Sequence, residues 1–138
     1  MATLKEIRQQ VLDLSDGERI NLARNCASEL RNALDSRSQF IDLMRMITRV
    51  FVSADRNCDR YEYEIYCEAT GDRPSWDEFF NFTNYGSNSQ AVNDLLAFCA
   101  KIHEDYRNAI ALYGCCLMAH DGTLTVAEQD IFNKVLGY

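Results

Sequence analysis

Apolar residues recur every three or four positions along most of the chain, which is the spacing of one face of an α-helix. The third predicted helix shows the pattern clearly, because Asp42, Arg45 and Arg49 mark a polar side opposite the apolar one. Its apolar face consists of Phe40, Leu43, Met44, Ile47 and Phe51. No run alternates between apolar and polar residues over more than a few positions, so the pattern does not support a β-sheet.

Helix-start signals indicate where these helices begin. A Ser, Thr or Asp followed three residues later by Glu fits a capping box, in which each side chain accepts a hydrogen bond from the other residue's backbone N–H. The pairs are Thr3 with Glu6, Ser15 with Glu18, Asp59 with Glu62, Ser75 with Glu78 and Thr125 with Glu128. The pattern predicts an all-α bundle of seven or eight helices. Their approximate ranges are 3–14, 16–34, 38–54, 60–69, 75–83, 89–103, 106–119 and 126–136.

The length of the chain, 138 residues, predicts a single helical domain over residues 1–138. The longest apolar stretch, residues 109–119, is too short to cross a bilayer, and the N-terminus lacks the apolar segment of a signal peptide. We therefore expect a cytoplasmic protein without a membrane span.

The charge balance argues against one class of partner. The chain has 14 Lys and Arg residues against 21 Asp and Glu residues, a net charge of −7. Non-specific binding to nucleic acid needs a basic surface, so we do not expect a nucleic-acid partner. The acidity favours a protein that binds cations.

The six cysteines are expected to pack as free thiols, because they form no CxxC pair and several fall on apolar helical stripes. Cys99 and His103 are four residues apart, the spacing of one helix face, but zinc would need two further ligands. Neither histidine lies in a nucleophile motif, and no phosphate-binding GxGxxG or GxxxxGK[ST] motif occurs. We therefore expect a non-enzymatic protein.

An internal repeat links the two halves of the chain. Residues 54–62 align with residues 120–128, an offset of 66 positions. In both segments an apolar helix ends near an Asp, an oxygen-rich turn follows, and a new helix carries a Glu seven positions after the Asp. The repeat predicts two helix–turn–helix units packed around a pseudo-two-fold axis.

Hard-cation binding is the chemistry that such turns suggest, because calcium and magnesium prefer several oxygen ligands. The first turn offers Asp55, Asn57, Asp59 and Glu62, and the second offers Asp121, Thr123, Thr125 and Glu128. The alternate spacing in the first turn resembles the start of an EF-hand loop, but Tyr66 stands where that loop needs its last Glu. The second turn carries less negative charge, so weaker binding is expected there.

A structural interpretation of the same residues stays open. Asp59 and Thr125 are well placed as N-caps, and Glu62 and Glu128 as their capping-box partners. Acidic side chains at a helix N-terminus are favourable without any metal, by a few tenths to about 1 kcal/mol. The turns would then serve only to start two helices.

The two turns also resemble a known family signature. Residues 117–128 (LMAHDGTLTVAE) resemble the A-x-D-G-x-hydrophobic-[ST]-x-x-E signature of TerB-like (tellurite-resistance) domains, and residues 53–62 are similar to it. The resemblance covers about residues 38–136 and leaves residues 1–37 as an N-terminal helical hairpin. The sequence departs from the signature at Arg56, where the family usually has Gly, and at His120.

The resemblance implies an all-helical fold in which the two turns lie together as a metal-binding face. On that pattern the metal ligands fall on Asp55, Glu62, Asp121 and Glu128. It further implies a cation-responsive protein of stress response or signalling that acts without catalysis.

An aromatic cluster over residues 61–85 has two possible interpretations. It is either the core of a small helical domain or a partner-binding patch in which Tyr63, Trp76 and Phe80 stay partly exposed. A protein partner is expected, and a homodimer formed through an apolar helix face is a further hypothesis. The alternative to a cation-binding protein is a plain helical protein–protein interaction module whose acidic turns are only helix caps.

Overall fold

The computed structural model describes residues 3–55, 58–84 and 89–138, except for the side chains of residues 54 and 55. Over these residues the chain forms eight α-helices and no strand, so the predicted all-α class is confirmed. The helices are α1 (Leu4–Leu12), α2 (Asp16–Arg31), α3 (Arg37–Asp55), α4 (Arg60–Thr70), α5 (Trp76–Asn84), α6 (Ser89–Cys99), α7 (Glu104–Leu117) and α8 (Val126–Leu136).

Capping explains why several helices begin where the sequence predicts. Complete capping boxes open α2, α4 and α8. At Thr3 and Ser75 only half of the box forms: each hydroxyl accepts from the N–H three residues on. The Glu78 carboxylate instead binds Arg45 at 3.0 Å, so a tertiary contact replaces the second half of that box.

The predicted end of α6 is wrong. The sequence pattern extends this helix to residue 103, but it ends at Cys99. His103 instead caps α7, because its Nδ1 accepts a hydrogen bond from the backbone N–H of Asp105 at 3.1 Å. Cys99 and His103 therefore do not share a helix face, and the zinc hypothesis loses its geometric basis.

Helix α7 lies at the centre of the molecule and packs against α1, α2, α3, α4 and α8. Its residues from 109 to 117 are buried apart from Leu112. Gly114 allows close packing here, since a Cβ at this position would lie 2.7 Å from the ring of Phe51 and 2.8 Å from that of Phe132. Those two rings stack with their centroids 4.5 Å apart.

The N-terminal helices are part of the same hydrophobic core. Buried side chains of α1 and α2 belong to it, namely Ile7, Val11, Ala23, Cys26, Ala27 and Leu30. Helix α2 packs against both α7 and α4. The first two helices therefore cover one side of the central helix.

All six cysteines are free thiols, as predicted, and all but Cys58 are buried. Burial raises the pKa of Cys26, Cys115 and Cys116 to about 12. These thiols are therefore protonated at neutral pH and pack as small apolar side chains. No helix in the described ranges is both long and apolar enough to cross a membrane.

Candidate functional site

The sequence repeat corresponds to a pair of matching helices. Helices α4 and α8 each contain 11 residues and begin 66 positions apart. Each opens with a capping box, at Asp59 and at Thr125. Each ends at a glycine in the left-handed region, Gly71 with φ 75° and Gly137 with φ 93°. Both turns of the candidate site therefore lead into helices of the same design.

The capping boxes use one oxygen of each capping side chain. In the first turn, Asp59 Oδ1 accepts from the Glu62 N–H at 2.9 Å, and Glu62 Oε1 accepts from the Asp59 N–H at 3.0 Å. In the second turn, Thr125 Oγ1 accepts from the Glu128 N–H at 3.1 Å, and Glu128 Oε1 accepts from the Thr125 N–H at 2.7 Å. The capping part of the structural interpretation is thus confirmed.

Both capping glutamates are buried, which capping alone does not require. Glu62 and Glu128 are each 2% exposed, whereas Glu18 makes the same box at the start of α2 and is exposed. The second oxygen of Glu128, Oε2, is buried and has no hydrogen-bond partner among the residues described. A buried carboxylate oxygen without a donor is costly, so this position calls for a compensating cation or donor.

The start of α4 lies against the segment that precedes the second turn. The ring of Tyr61, in the first turn of α4, stacks on the ring of His120, with centroids 3.6 Å apart and planes 13° apart. The Tyr61 hydroxyl donates to the carbonyl of Cys116 at 2.8 Å, and burial raises the pKa of Tyr61 to about 12. These two contacts of Tyr61 therefore hold the start of α4 against the segment between the end of α7 and Asp121.

The start of helix α2 also contacts His120, next to the second turn. Nε2 of His120 lies 3.0 Å from Oδ1 of Asp16, and this hydrogen bond lowers the pKa of the Asp16 carboxyl. Arg19 lies beside Asp16 and fixes the α1–α2 connection, because its guanidinium donates to the carbonyls of Val11 and Leu12 at 3.0 and 3.2 Å. The turns are thus bordered by the start of α2.

The outcome for the predicted ligands differs from residue to residue. Asn57 and the side chain of Asp55 lie outside the described residues. Asp59, Glu62, Thr125 and Glu128 serve in the capping boxes. Asp121 is partly buried and Thr123 is exposed.

The described acidic side chains do not by themselves complete a metal site. No group of three or more His, Cys, Asp or Glu side chains in the described part of the chain is placed to hold a metal ion. The carbonyl oxygens of Asp121 and Gly122 accept hydrogen bonds from Arg8 Nη2, at 3.0 and 3.5 Å. Of the described ligand candidates, Glu128 fits a cation best, because one of its buried oxygens has no donor.

Sequence reasoning missed Arg8, Asp16 and the Tyr61–His120 stack. Arg8 and Asp121 are 113 positions apart, and Asp16 and His120 are 104 apart. No local pattern marks such distant pairs. Among these residues, the sequence had singled out His120 alone, as a departure from the TerB-like signature. His120 makes two of the contacts, with Asp16 and with Tyr61.

Most of the described members of the aromatic cluster pack in or against the core, and Tyr85 lies outside the described residues. Tyr66 and Phe79 are fully buried, and Tyr63 and Trp76 are partly buried. Phe80 is 46% exposed, and its ring centroid lies 6.3 Å from that of Trp76. The exposed part of the predicted patch therefore consists of Phe80 and the partly exposed side chains of Tyr63 and Trp76.

Helices α5 and α6 both pack on α3 and border a groove of about 830 Å³. Two arginines line it, Arg45 and Arg49, and two carboxylates, Glu78 and Asp94. Arg45 is neutralised by Asp72 and Glu78, at 2.9 and 3.0 Å. The groove therefore has a balanced formal charge and does not select ligands of one sign.

No protein-family model matches the chain, and no curated protein or solved structure shows significant similarity to it. Function is therefore inferred from the chain's own residues and from the two short motifs that resemble the TerB-like signature.

Proposed function

We propose that this chain is a non-enzymatic, TerB-like helical domain that binds a divalent cation, calcium or magnesium, at its acidic turns. One observation carries the proposal: Glu128 is 2% exposed and keeps one buried oxygen without a hydrogen-bond donor in the residues described. A bound cation would compensate this carboxylate with the ligand type that both metals prefer.

Each acidic turn would hold a cation with its own oxygen ligands. Glu128 and Asp121 supply carboxylates from the second turn, and the hydroxyl of Thr123 is a further oxygen donor. Glu62 occupies the equivalent position of Glu128 in the first turn and is equally buried. The motif assigns Asp55 to the first turn as a further ligand, and the oxygen-rich spacing adds Asn57. Asp59 and Thr125 cap the starts of α4 and α8.

The test is a titration of the metal-free protein with CaCl₂ and with MgCl₂, followed by calorimetry and by amide chemical shifts. We expect saturable heat and shifts at Asp121 and Glu128, both abolished in Glu128→Gln. Glu18→Gln is the matched control, because Glu18 makes the same capping box on an exposed surface. Silence up to about 10 mM of either metal, a concentration that would detect even weak extracellular-type sites, would refute the proposal.

The alternative function, a helical protein–protein interaction module, is favoured by a different observation. Both capping boxes are complete, so the turns have a structural role without any metal. On this alternative, Asp55→Ala and Asp121→Ala lower the midpoint of thermal unfolding, and calcium leaves the midpoint of every variant unchanged. The cation proposal instead requires that calcium raises the midpoint of the wild-type protein and not of the variants.

The cellular role follows the resemblance and is part of the same proposal. A TerB-like domain is expected to act in a cytoplasmic stress response through a protein partner. Light scattering with and without calcium tests the accompanying homodimer hypothesis, which a monomeric mass under both conditions would contradict.

A further inference from the structure

A second cavity lies where the start of α1 meets the loop before α8. Its volume is about 410 Å³. Helix α1 contributes Lys5 and Arg8 to its polar lining, and the opposite wall contributes Thr123, Gln129 and Asn133. No carboxylate side chain is among the described residues that line it.

The two cations of this cavity have no ion-pair partner among the described residues. Neither Lys5 nor Arg8 forms an ion pair with a carboxylate in the described ranges. The chain as a whole has 21 acidic against 14 basic residues, so carboxylates to pair with them are plentiful. The lining, with two cations and no carboxylate side chain, therefore departs from the acidity of the chain, and its positive charge favours an anion.

Arg8 is fixed against the loop before α8, and one of its guanidinium nitrogens has no acceptor among the described residues. Nη2 donates to the carbonyls of Asp121 and Gly122, at 3.0 and 3.5 Å, which fixes the side chain against the loop. Nη1 is buried and has no hydrogen-bond partner in the part of the chain that the structure describes. A buried charged donor without an acceptor is costly, and the planar guanidinium is well suited to oxyanions.

We propose that this cavity binds a small tetrahedral oxyanion, a phosphate group that is either free or part of a phosphate monoester. The guanidinium of Arg8 and the ammonium of Lys5 supply the charge, and the amide of Asn133 supplies a neutral donor. The amide of Gln129 already donates one hydrogen to the Leu124 carbonyl at 3.0 Å, which leaves its second hydrogen for the anion. The volume leaves room for the organic part of a monoester.

The test uses inorganic phosphate and phenyl phosphate as probes, added to the full chain at constant ionic strength in chloride. Amide and guanidinium shifts follow binding at Lys5, Arg8 and Thr123. We expect saturable binding with a dissociation constant on the order of 1 mM or below. Tighter binding of phenyl phosphate identifies a monoester as the ligand, and equal or tighter binding of inorganic phosphate identifies the free ion.

Charge-removing variants locate the site. Arg8→Gln should weaken binding more than about tenfold, because a charge-assisted hydrogen bond is lost. Lys5→Gln should weaken it about two- to fivefold, as expected for a more exposed charge, and its exposed position leaves the fold intact. Lys134→Gln is the matched control, since Lys134 pairs with Asp130 at 2.9 Å and does not line the cavity.

Two results would overturn the proposal. The first is the absence of saturable shifts up to about 20 mM of both probes, well above the affinity expected for a built anion site. The second is that Lys5→Gln and Lys134→Gln weaken phosphate binding equally. This would show that binding depends only on the net charge of the protein. Neither result bears on the cation proposal, whose test uses chloride salts and the Glu128→Gln variant.

Discussion

A methyl group at position 114 would occupy the space in which the rings of Phe51 and Phe132 stack. The nearest ring atoms lie 2.7 and 2.8 Å from the position of that Cβ, and both rings are buried. Neither ring can move away without disturbing the packing around α7. Packing, and not backbone conformation, requires glycine at this position, because Gly114 lies inside an ordinary α-helix.

We expect Gly114→Ala to lower the free energy of unfolding by about 1–3 kcal/mol, because the overpacking outweighs the gain in helix propensity. Gly17→Ala is the control: Gly17 lies in α2 with no atom within 4 Å of its Cβ position, so it should be neutral or stabilising by up to about 1 kcal/mol. Urea unfolding of both variants measures the difference. Equal stability of the two variants would contradict the packing argument.

Asp72 provides a residue-scale prediction about pH. Burial tends to raise the pKa of this carboxyl, but hydrogen bonds from Arg45 at 2.9 Å and Tyr66 at 2.5 Å outweigh it, so the pKa lies below 3.8. A pKa lower in the folded than in the unfolded chain stabilises the fold above about pH 4. That contribution is lost as the pH falls below 3.8 through the folded value.

We therefore expect Asp72→Asn to cost about 1–3 kcal/mol at pH 7, with the difference from wild type shrinking below pH 4. Urea unfolding between pH 2 and pH 7 measures it. Glu64→Gln, at an exposed position of α4, is the control and should change stability little. A cost for Asp72→Asn that is the same at pH 3 and pH 7 would show that the hydrogen bonds do not depend on the charge.

At the scale of a helix, the capping side chains decide where α4 and α8 begin. We expect Thr125→Ala to lower the free energy of unfolding by about 1 kcal/mol, because the Glu128 N–H loses its acceptor. Thr123→Ala, two positions earlier at an exposed site of the same turn, should have almost no effect without ligand. Thermal unfolding in the absence of metal and phosphate compares them, and an equal loss in both variants would argue against the cap.

Helix starts were easier to predict from the sequence than helix ends and tertiary contacts. The starts of α4 and α8 were predictable because a capping box is encoded within four residues. The end of α2 was not, since the predicted range runs to residue 34 and the helix ends at Arg31, whose side chain donates to the Leu34 carbonyl at 3.1 Å. The repeat predicted both turns, but the contacts around them depend on residues far apart in the sequence.

At the scale of the whole molecule, the N-terminal helices are required to cover α7. We expect a chain shortened to residues 37–138 to lose cooperative unfolding, because it would expose the face of α7 that packs against α1 and α2. Circular dichroism and amide spectra of the shortened chain measure this. A cooperative transition near the wild-type temperature would instead show that residues 37–138 fold independently.

The only tryptophan of the chain lies beside the first turn of α4. The guanidinium of Arg60, the residue after the Asp59 cap, lies 4.3 Å from the centre of the Trp76 ring. The indole is partly buried and touches Tyr63 and Phe79 as well. Its fluorescence emission is thus a built-in optical probe of the first acidic turn, so ligand-induced changes there can be followed in the unlabelled wild-type protein.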